Sequence, residues 1–243
     1  MTYVKEMAIP QNENEIQKLE FQNYLECLGF ESQSFSPTIS KIDPTISIQN
    51  PPVSEAWSTL SAQVDSCQKC PLHLERKRPV FGSGSQTAQI LFVSEAPTQS
   101  EEDSQSVLNA ASAELFEKMI KAMNLNSTSV YMTHAAKCRP PHNRHPEAAE
   151  LENCSEHLIA QAVLLQPRLV VALGSIAAKA LIDPQFDFDR HRGNFYPLWA
   201  SKTANPLKSC LVLPTFHPAY LIRNPDAKRL AWEDLKKVIA HLK

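Results

Sequence analysis

The sequence predicts an α/β domain in three layers, α/β/α, around a central, mainly parallel sheet of four strands. Two observations predict it. Four short apolar runs alternate with segments of helical periodicity, the pattern of strand–helix–strand units. The loops that follow these runs carry most of the chain's polar signals, and ligands of parallel sheets bind at the carboxyl ends of the strands.

Residues 12–30 have Ile16, Leu19, Tyr24, Leu25 and Leu28 near helical spacing, with Gly29 as a stop, and predict a helical extension over 1–30. Residues 31–54 are rich in Ser, Pro, Ile and Thr without period and predict a linker. From Glu55 to Lys243 the pattern is that of the α/β domain. QILFVSE (89–95) is the first predicted strand. A helix is predicted over 107–123, with Leu108, Leu115, Phe116, Met119, Ile120 and Met123 as its apolar face. SVYMTHA (129–135) is the second strand and 146–165 a long helix. RLVVALG (168–174) is the third strand, and SIAAKALI makes a helix after it. SCLVLPT (209–215) is the fourth strand, and 226–242 closes the chain as an amphipathic helix. The loops to inspect are 94–106, 134–145, 174–176 and 216–224.

The 243 residues suffice for one sizeable domain plus an extension, and 43% are apolar, enough for a core. The net charge is −2, so any nucleic acid would be held by a local basic patch rather than by the bulk field. No run reaches 18 apolar residues and no secretory h-region is visible, so no membrane partner and a cytoplasmic address are expected. Six cysteines in a reducing compartment read as thiols, metal ligands or core filler rather than disulfides. Cys27 and Cys210 sit among apolar neighbours and read as buried thiols.

The remaining four stand apart. Cys67 and Cys70 have C-x2-C spacing; 67 residues separate Cys70 from Cys138, and 15 separate Cys138 from Cys154. The first pair alone fits a zinc knuckle, a redox motif or chance. Zinc ribbons place their second pair at C-x2-C too, which this chain does not. Four thiolates from separate segments suit a 4Fe–4S cluster at least as well, and buried thiols remain open on spacing alone.

Several segments together resemble the family-4 uracil-DNA glycosylases. VYMTHAAKCRPPHNRHPEAAELENC is similar to that family's VY-T-N-x-x-KCRPP-x-NR-x-P-x3-E-x3-C, LFVSEAPTQSEED to its GEAPG-x-x-ED loop, and ALGSIAAKALI to its LG-x-x-A turn. HRGNFY is similar to RG-x-x-Y, and LPTFHPAYLIRNP to P-T-x-HPAYLLR-x-P. The ordered match runs from about Cys67 to Lys243. The resemblance implies a uracil-DNA glycosylase fold, a 4Fe–4S cluster on Cys67, Cys70, Cys138 and Cys154, and monofunctional excision of uracil from DNA in base excision repair.

It also implies roles. His217 would stabilise charge on the departing base. Glu95 would orient water or balance cationic charge, and Glu101 matches the loop's second acidic position. His134 takes the place of the Asn that reads uracil, and Leu108 that of the phenylalanine that stacks on it. Leu221 and Ile222 would wedge into the space of the flipped base. Arg139, Arg144, Arg192 and Arg223 would bind phosphates, and Lys137 would face DNA.

Departures cluster in the base pocket. Ser94 and Thr98 replace the glycines of GEAPG, and Ala110 and Ala113 those of F-x-G-R-A-G. A lost stacking ring costs roughly 1–3 kcal/mol and a lost polar contact about as much, together about 10²- to 10⁴-fold. Three readings follow: a uracil glycosylase with an adapted pocket, a glycosylase of different base preference read by His134, or a catalytically weak or inactive relative that binds DNA or a partner and keeps the cluster for structure. A monomer is expected, with residues 1–53 engaging a replication or repair protein.

Overall fold

The computed structural model describes residues 53–199, 207 and 209–243. The predicted extension, and the linker up to residue 52, lie outside the described residues. Where the linker was expected to end, helix α1 (Val53–Ser66) has already begun. Trp57, Leu60 and Val64 are buried at i, i+3, i+7 spacing, and the Trp57 ring lies 5.0 Å from that of Tyr131.

The four predicted strands form β2 (Ile90–Ser94), β3 (Val130–His134), β4 (Leu169–Leu173) and β6 (Leu211–Thr215). All four are parallel, ordered β3-β2-β4-β6. Two ribbons of two residues each, β1 (Ser83–Gly84) and β5 (Tyr196–Pro197), pair antiparallel on the edges and bring the sheet to six strands. A two-residue strand has no periodicity, which is why the sequence pointed to four. The inner strands are buried almost throughout, as parallel strands covered on both faces must be. On one face, Ile90, Phe92, Met132, Val171 and Leu213 pack against Phe116 and Ile120 of α3 (Ala110–Ala122) and Leu235 and Val238 of α8 (Ala227–Leu242). On the other, α5 (Ser175–Leu181) lies on the sheet, next to α4 (Ala148–Leu165), which in turn packs on α1, and a single turn, α6 (Phe188–His191), follows α5 along the chain.

The predicted helix 107–123 starts later than its apolar pattern. Val107 and Leu108 are buried ahead of it, and Asn109 caps it by accepting the Ser112 N–H at 3.1 Å. A further short helix, α2 (Gln99–Ser104), occupies the loop after β2. Among the described residues no helix is long and apolar enough to cross a membrane.

The order of the strands locates the site. From β2 the chain moves to β3 on one side, then crosses to β4 on the other. The carboxyl ends of β2 and β4 therefore flank a topological switch point, where parallel sheets of this kind open a crevice.

Candidate active site and cysteine cluster

At that crevice lies a cavity of about 530 Å³, lined by the ends of β2 (Ser94, Glu95), β4 (Gly174, Ser175) and β6 (Phe216, His217), with Asn143, Arg144 and His145 from the loop after β3. Gly174 makes the turn after β4 at φ +92°, and a Cβ there would meet His217 Cβ at 3.6 Å. This left-handed backbone favours glycine.

His217 is the N-cap of α7 (Pro218–Arg223). Its Nδ1 accepts the Ala219 N–H at 3.1 Å, and its Nε2 lies 3.0 Å from Ser94 Oγ. Burial, and secondarily the Arg223 charge, push its pKa down to about 4. The ring is therefore neutral near pH 7. Because Nδ1 accepts a backbone N–H, the one ring proton is on Nε2. Nε2–H thus donates to Ser94 at the cavity.

Glu95 contacts His145 through Oε1 and Nδ1, half-exposed at the cavity rim. Glu101 also reaches the cavity lining, but both its oxygens are engaged: Oε2 accepts the Thr98 N–H at 2.8 Å, closing the capping box of α2, and Oε1 accepts the Asn109 N–H at 3.0 Å. Its carboxylate ties the loop after β2 to the start of α3.

Several expected contacts are relocated. Leu108 is only 4% exposed and belongs to the core with Phe116 and Ile120 rather than to the cavity wall. The chain buries it because Ser106 and Asn109 turn the backbone just ahead of α3. The aromatic rings that do line the cavity are Phe188, Phe216 and Tyr220. Phe216 and Tyr220 stack at 5.0 Å with planes 8° apart, an i,i+4 pair legible in TFHPAY but not singled out. His134 is fully buried beside the cavity, not in its lining. Neither ring nitrogen makes a hydrogen bond of normal geometry, though the Val107 backbone acts weakly on it. Its Nε2 is 3.9 Å from Glu101 Oε2. Burial, then the Lys137 charge, hold it neutral, well below the usual histidine range.

Leu221 is 2% exposed and packs with Ala227, Ala231 and Phe216; on the helix its side chain turns to the core, while Tyr220 and Ile222 face out at 39% and 43%. Of the two residues expected to form a wedge, the structure exposes Ile222. Lys137 is 1% exposed and donates to Thr133 Oγ1, the His134 carbonyl and Gln161 Oε1 at 2.6–2.7 Å, so it does not face DNA.

The arginines divide. Arg139 pairs through Nε with the buried Glu102 at 2.8 Å. Arg144 forks onto Glu150 at 2.8 and 2.6 Å while lining the cavity. Arg192 donates to Asp234 Oδ2 at 2.7 Å and to the Leu230 carbonyl at 2.9 Å, its guanidinium 4.5 Å above the Phe216 ring. Asp234 also accepts the Thr215 hydroxyl at 2.7 Å. Gly193 closes over this pair: a Cβ there would stand 2.0 Å from Asp234 Oδ1. Arg192 thus braces the loop that carries His217, and the arginines exposed at the cavity mouth are Arg144, held by Glu150, and Arg223.

The four singled-out cysteines come together. Cys67 and Cys70 leave the end of α1, Cys138 follows β3 and Cys154 sits on α4, and all four line one small cavity of about 10 Å³ with Arg76 and His157. Arg76 donates to Cys138 Sγ at 2.9 Å and to the Asp65 and Cys67 carbonyls at 2.9 and 2.8 Å. The Lys137 N–H points at Cys154 Sγ, 3.3 Å away. Burial raises the thiols of Cys70 and Cys138, and that of Cys154 to about 11. Among the described residues no three His, Cys, Asp or Glu side chains converge as they would on a single ion; the sulfurs surround a space instead. Cys210 is buried near the Pro167 carbonyl, as core filler.

The family model described as the uracil DNA glycosylase superfamily matches residues 81–236. A type-4 uracil-DNA glycosylase of Thermotoga maritima is 32% identical over 192 residues, 78% of this chain and 96% of the relative. One from Sulfurisphaera tokodaii is 34% identical over 189 residues, 76% and 84% of the two chains, and one from Archaeoglobus fulgidus 32% over 190 residues, 76% and 92%. The chain belongs to the uracil-DNA glycosylase superfamily, among its type-4 members.

Proposed function

We propose that this protein is a monofunctional DNA repair glycosylase that hydrolyses the N-glycosidic bond of uracil in DNA, carrying a 4Fe–4S cluster on Cys67, Cys70, Cys138 and Cys154. The observation that carries the reading is a neutral histidine at the switch point, its single proton held on Nε2 towards the cavity.

The target nucleotide must leave the duplex to reach such a site, and a cavity of about 530 Å³ is of ligand-pocket size. As the C1′–N bond breaks, its electron pair passes to the base and spreads to the carbonyl oxygens, while the sugar becomes oxocarbenium-like. The fixed donor beside His217 opposes that negative charge without reorganising. Glu95, at the rim with His145, is placed to hold a water for C1′ and to balance the cationic sugar. The water adds to C1′ and releases a proton, and the base leaves. Lys137 is held by three acceptors and is not available to form a Schiff base, so no lyase step is included. Ile222 and Arg223, exposed on α7, meet the DNA.

The sulfur set supports the cluster. The thiols stand around a shared space with two N–H donors aimed at sulfur, and such hydrogen bonds accompany iron–sulfur ligation. When bound, the cluster supplies a crosslink among the end of α1, the loop after β3 and α4. A brown protein with broad visible absorbance is expected; a colourless one, purified without oxygen and holding stoichiometric zinc, refutes it. Residues 1–53 are proposed to reach a replication or repair partner in the cytoplasm, an idea that fails if their deletion alters neither localisation nor any pull-down.

The decisive experiment is a single-turnover assay of oxygen-protected protein on single- and double-stranded uracil oligonucleotides. Alkali-labile strand cleavage that His217→Ala weakens at least about 10²-fold is expected. No cleavage with enzyme in excess supports instead the non-catalytic DNA- or partner-binding reading.

A further inference from the structure

At Ser94, where the sequence resemblance led one to expect a glycine, a hydroxyl stands 3.0 Å from His217 Nε2. Resting on the glycosylase reading above, we propose that the Ser94 hydroxyl is itself a catalytic residue, the group that donates to the carbonyl oxygen of the departing base, with His217 acting through it as the positioning residue behind.

Four observations lead there. Ser94 is the last residue of β2 and lines the cavity. Its position is pinned, because its carbonyl accepts the Ala135 N–H at 2.8 Å and its backbone is in register with His134. Its Oγ lies 3.0 Å from His217 Nε2. The Ala219 N–H occupies Nδ1, so the neutral ring can only donate from Nε2.

The direction of that hydrogen bond determines the chemistry. A serine that is to attack as a nucleophile must give its proton to an unprotonated Nε2. Here Nε2 carries the proton, so Ser94 accepts and cannot be activated for attack. A hydroxyl has one donor and two acceptor sites. With one lone pair taken by Nε2–H, the Oγ–H is left to donate into the cavity. Donation into Oγ polarises the O–H and strengthens its next hydrogen bond, as chains of hydrogen bonds do. The unit His217–Ser94–base is thus a relay of hydrogen bonds. No proton is transferred along it. The glycosidic electron pair goes to the base, the anion is held by Oγ–H, and the proton lost by the attacking water goes to solvent.

The alternative is that Ser94 merely occupies Nε2–H and must be displaced by the base, in which case the hydroxyl inhibits. The two make opposite predictions. Single-turnover excision of uracil would be measured for the full-length protein, Ser94→Ala, Ser94→Gly, Ser94→Thr and His217→Ala, with the melting temperature and the affinity for abasic-site DNA of each. Ser94→Ala and Ser94→Gly are both expected to lose about 10²-fold in rate, the scale of one lost oxyanion donor, with affinity for abasic-site DNA unchanged. Ser94→Thr, which keeps the hydroxyl, is expected to recover most of the rate. Because the two groups act in series, Ser94→Ala combined with His217→Ala is expected to be little slower than the slower single variant. Two hydroxyl-free variants are used so that a folding defect in one does not decide the matter. If the wild type excises uracil and either folded hydroxyl-free variant is as fast or faster, the relay is overturned and the glycosylase reading stands. If the wild type excises nothing, that reading fails and takes the relay with it.

Discussion

Replacing Arg192 by Ala separates two roles that an arginine near a DNA site can have. Its side chain is 15% exposed, and that of its partner Asp234 only 5%. Removing the guanidinium leaves a buried carboxylate with the Thr215 hydroxyl as its remaining neutral donor; burial already raises the Asp234 pKa, opposed by Thr215 and Arg192. Breaking a buried pair from one side costs about 3–5 kcal/mol, and the lost stack over Phe216 about 1 more. At about 2–4 °C per kcal/mol for a chain of this size, the melting temperature should fall by roughly 8–24 °C. The assay is thermal unfolding of the cluster-loaded protein, followed by circular dichroism, for Arg192→Ala, Asp234→Leu and Arg192→Leu with Asp234→Leu. The double variant should recover about 2 kcal/mol or more relative to Arg192→Ala, because no charge is then stranded. A shift under about 2 °C, with DNA affinity reduced and its salt dependence shallower by about 0.9 in log–log slope, would refute this reasoning and restore Arg192 as a phosphate contact.

Two further outcomes are expected. The His217 pKa is about 4 in the folded protein against 6.5 as its ordinary value. A lowered histidine pKa favours the folded state above 6.5, and that stability is lost as pH falls from 6.5 towards 4, because the unfolded chain takes up the proton first. The loss amounts to up to about 3 kcal/mol; denaturant unfolding of wild type and His217→Gln should diverge by this much between pH 7 and pH 4, and parallel curves would contradict it. On α7, Leu221→Ala should cost about 2–5 kcal/mol as a core truncation, whereas Ile222→Ala should leave stability within about 0.5 kcal/mol and weaken excision from duplex DNA more than from single strands. The reverse pattern in unfolding and strand-specific assays would return the wedge to Leu221.

Much of the site could be read along the chain because its residues lie in short segments with their own signals. The four inner strands were legible as apolar runs, since burial on both faces leaves no room for polar alternation. His217 was legible from HPAYLIR, and the four cysteines from their spacing and KCRPP. Leu108 and Leu221 were misplaced because an apolar side chain looks the same in a core and at a cavity, and only packing decides between them. Arg139 and Arg192 read as phosphate contacts because their partners, Glu102 and Asp234, lie 37 and 42 residues away. Charge compensation at that distance has no local pattern.

The sequence by itself therefore determined the α/β architecture and singled out the four cysteines that line one small cavity and the histidine that lines the crevice, because periodicity and short motifs are properties of neighbouring residues. Only the tertiary structure decided which atoms meet. The contact of Ser94 with His217 spans 123 residues, and it exists because β2 and β6, the parallel strands that flank β4, end at the same edge of the sheet. The proton on Nε2, the outward side of α7 and the partners of the buried charges follow from that assembly, since donor direction and burial are set by what the fold brings alongside.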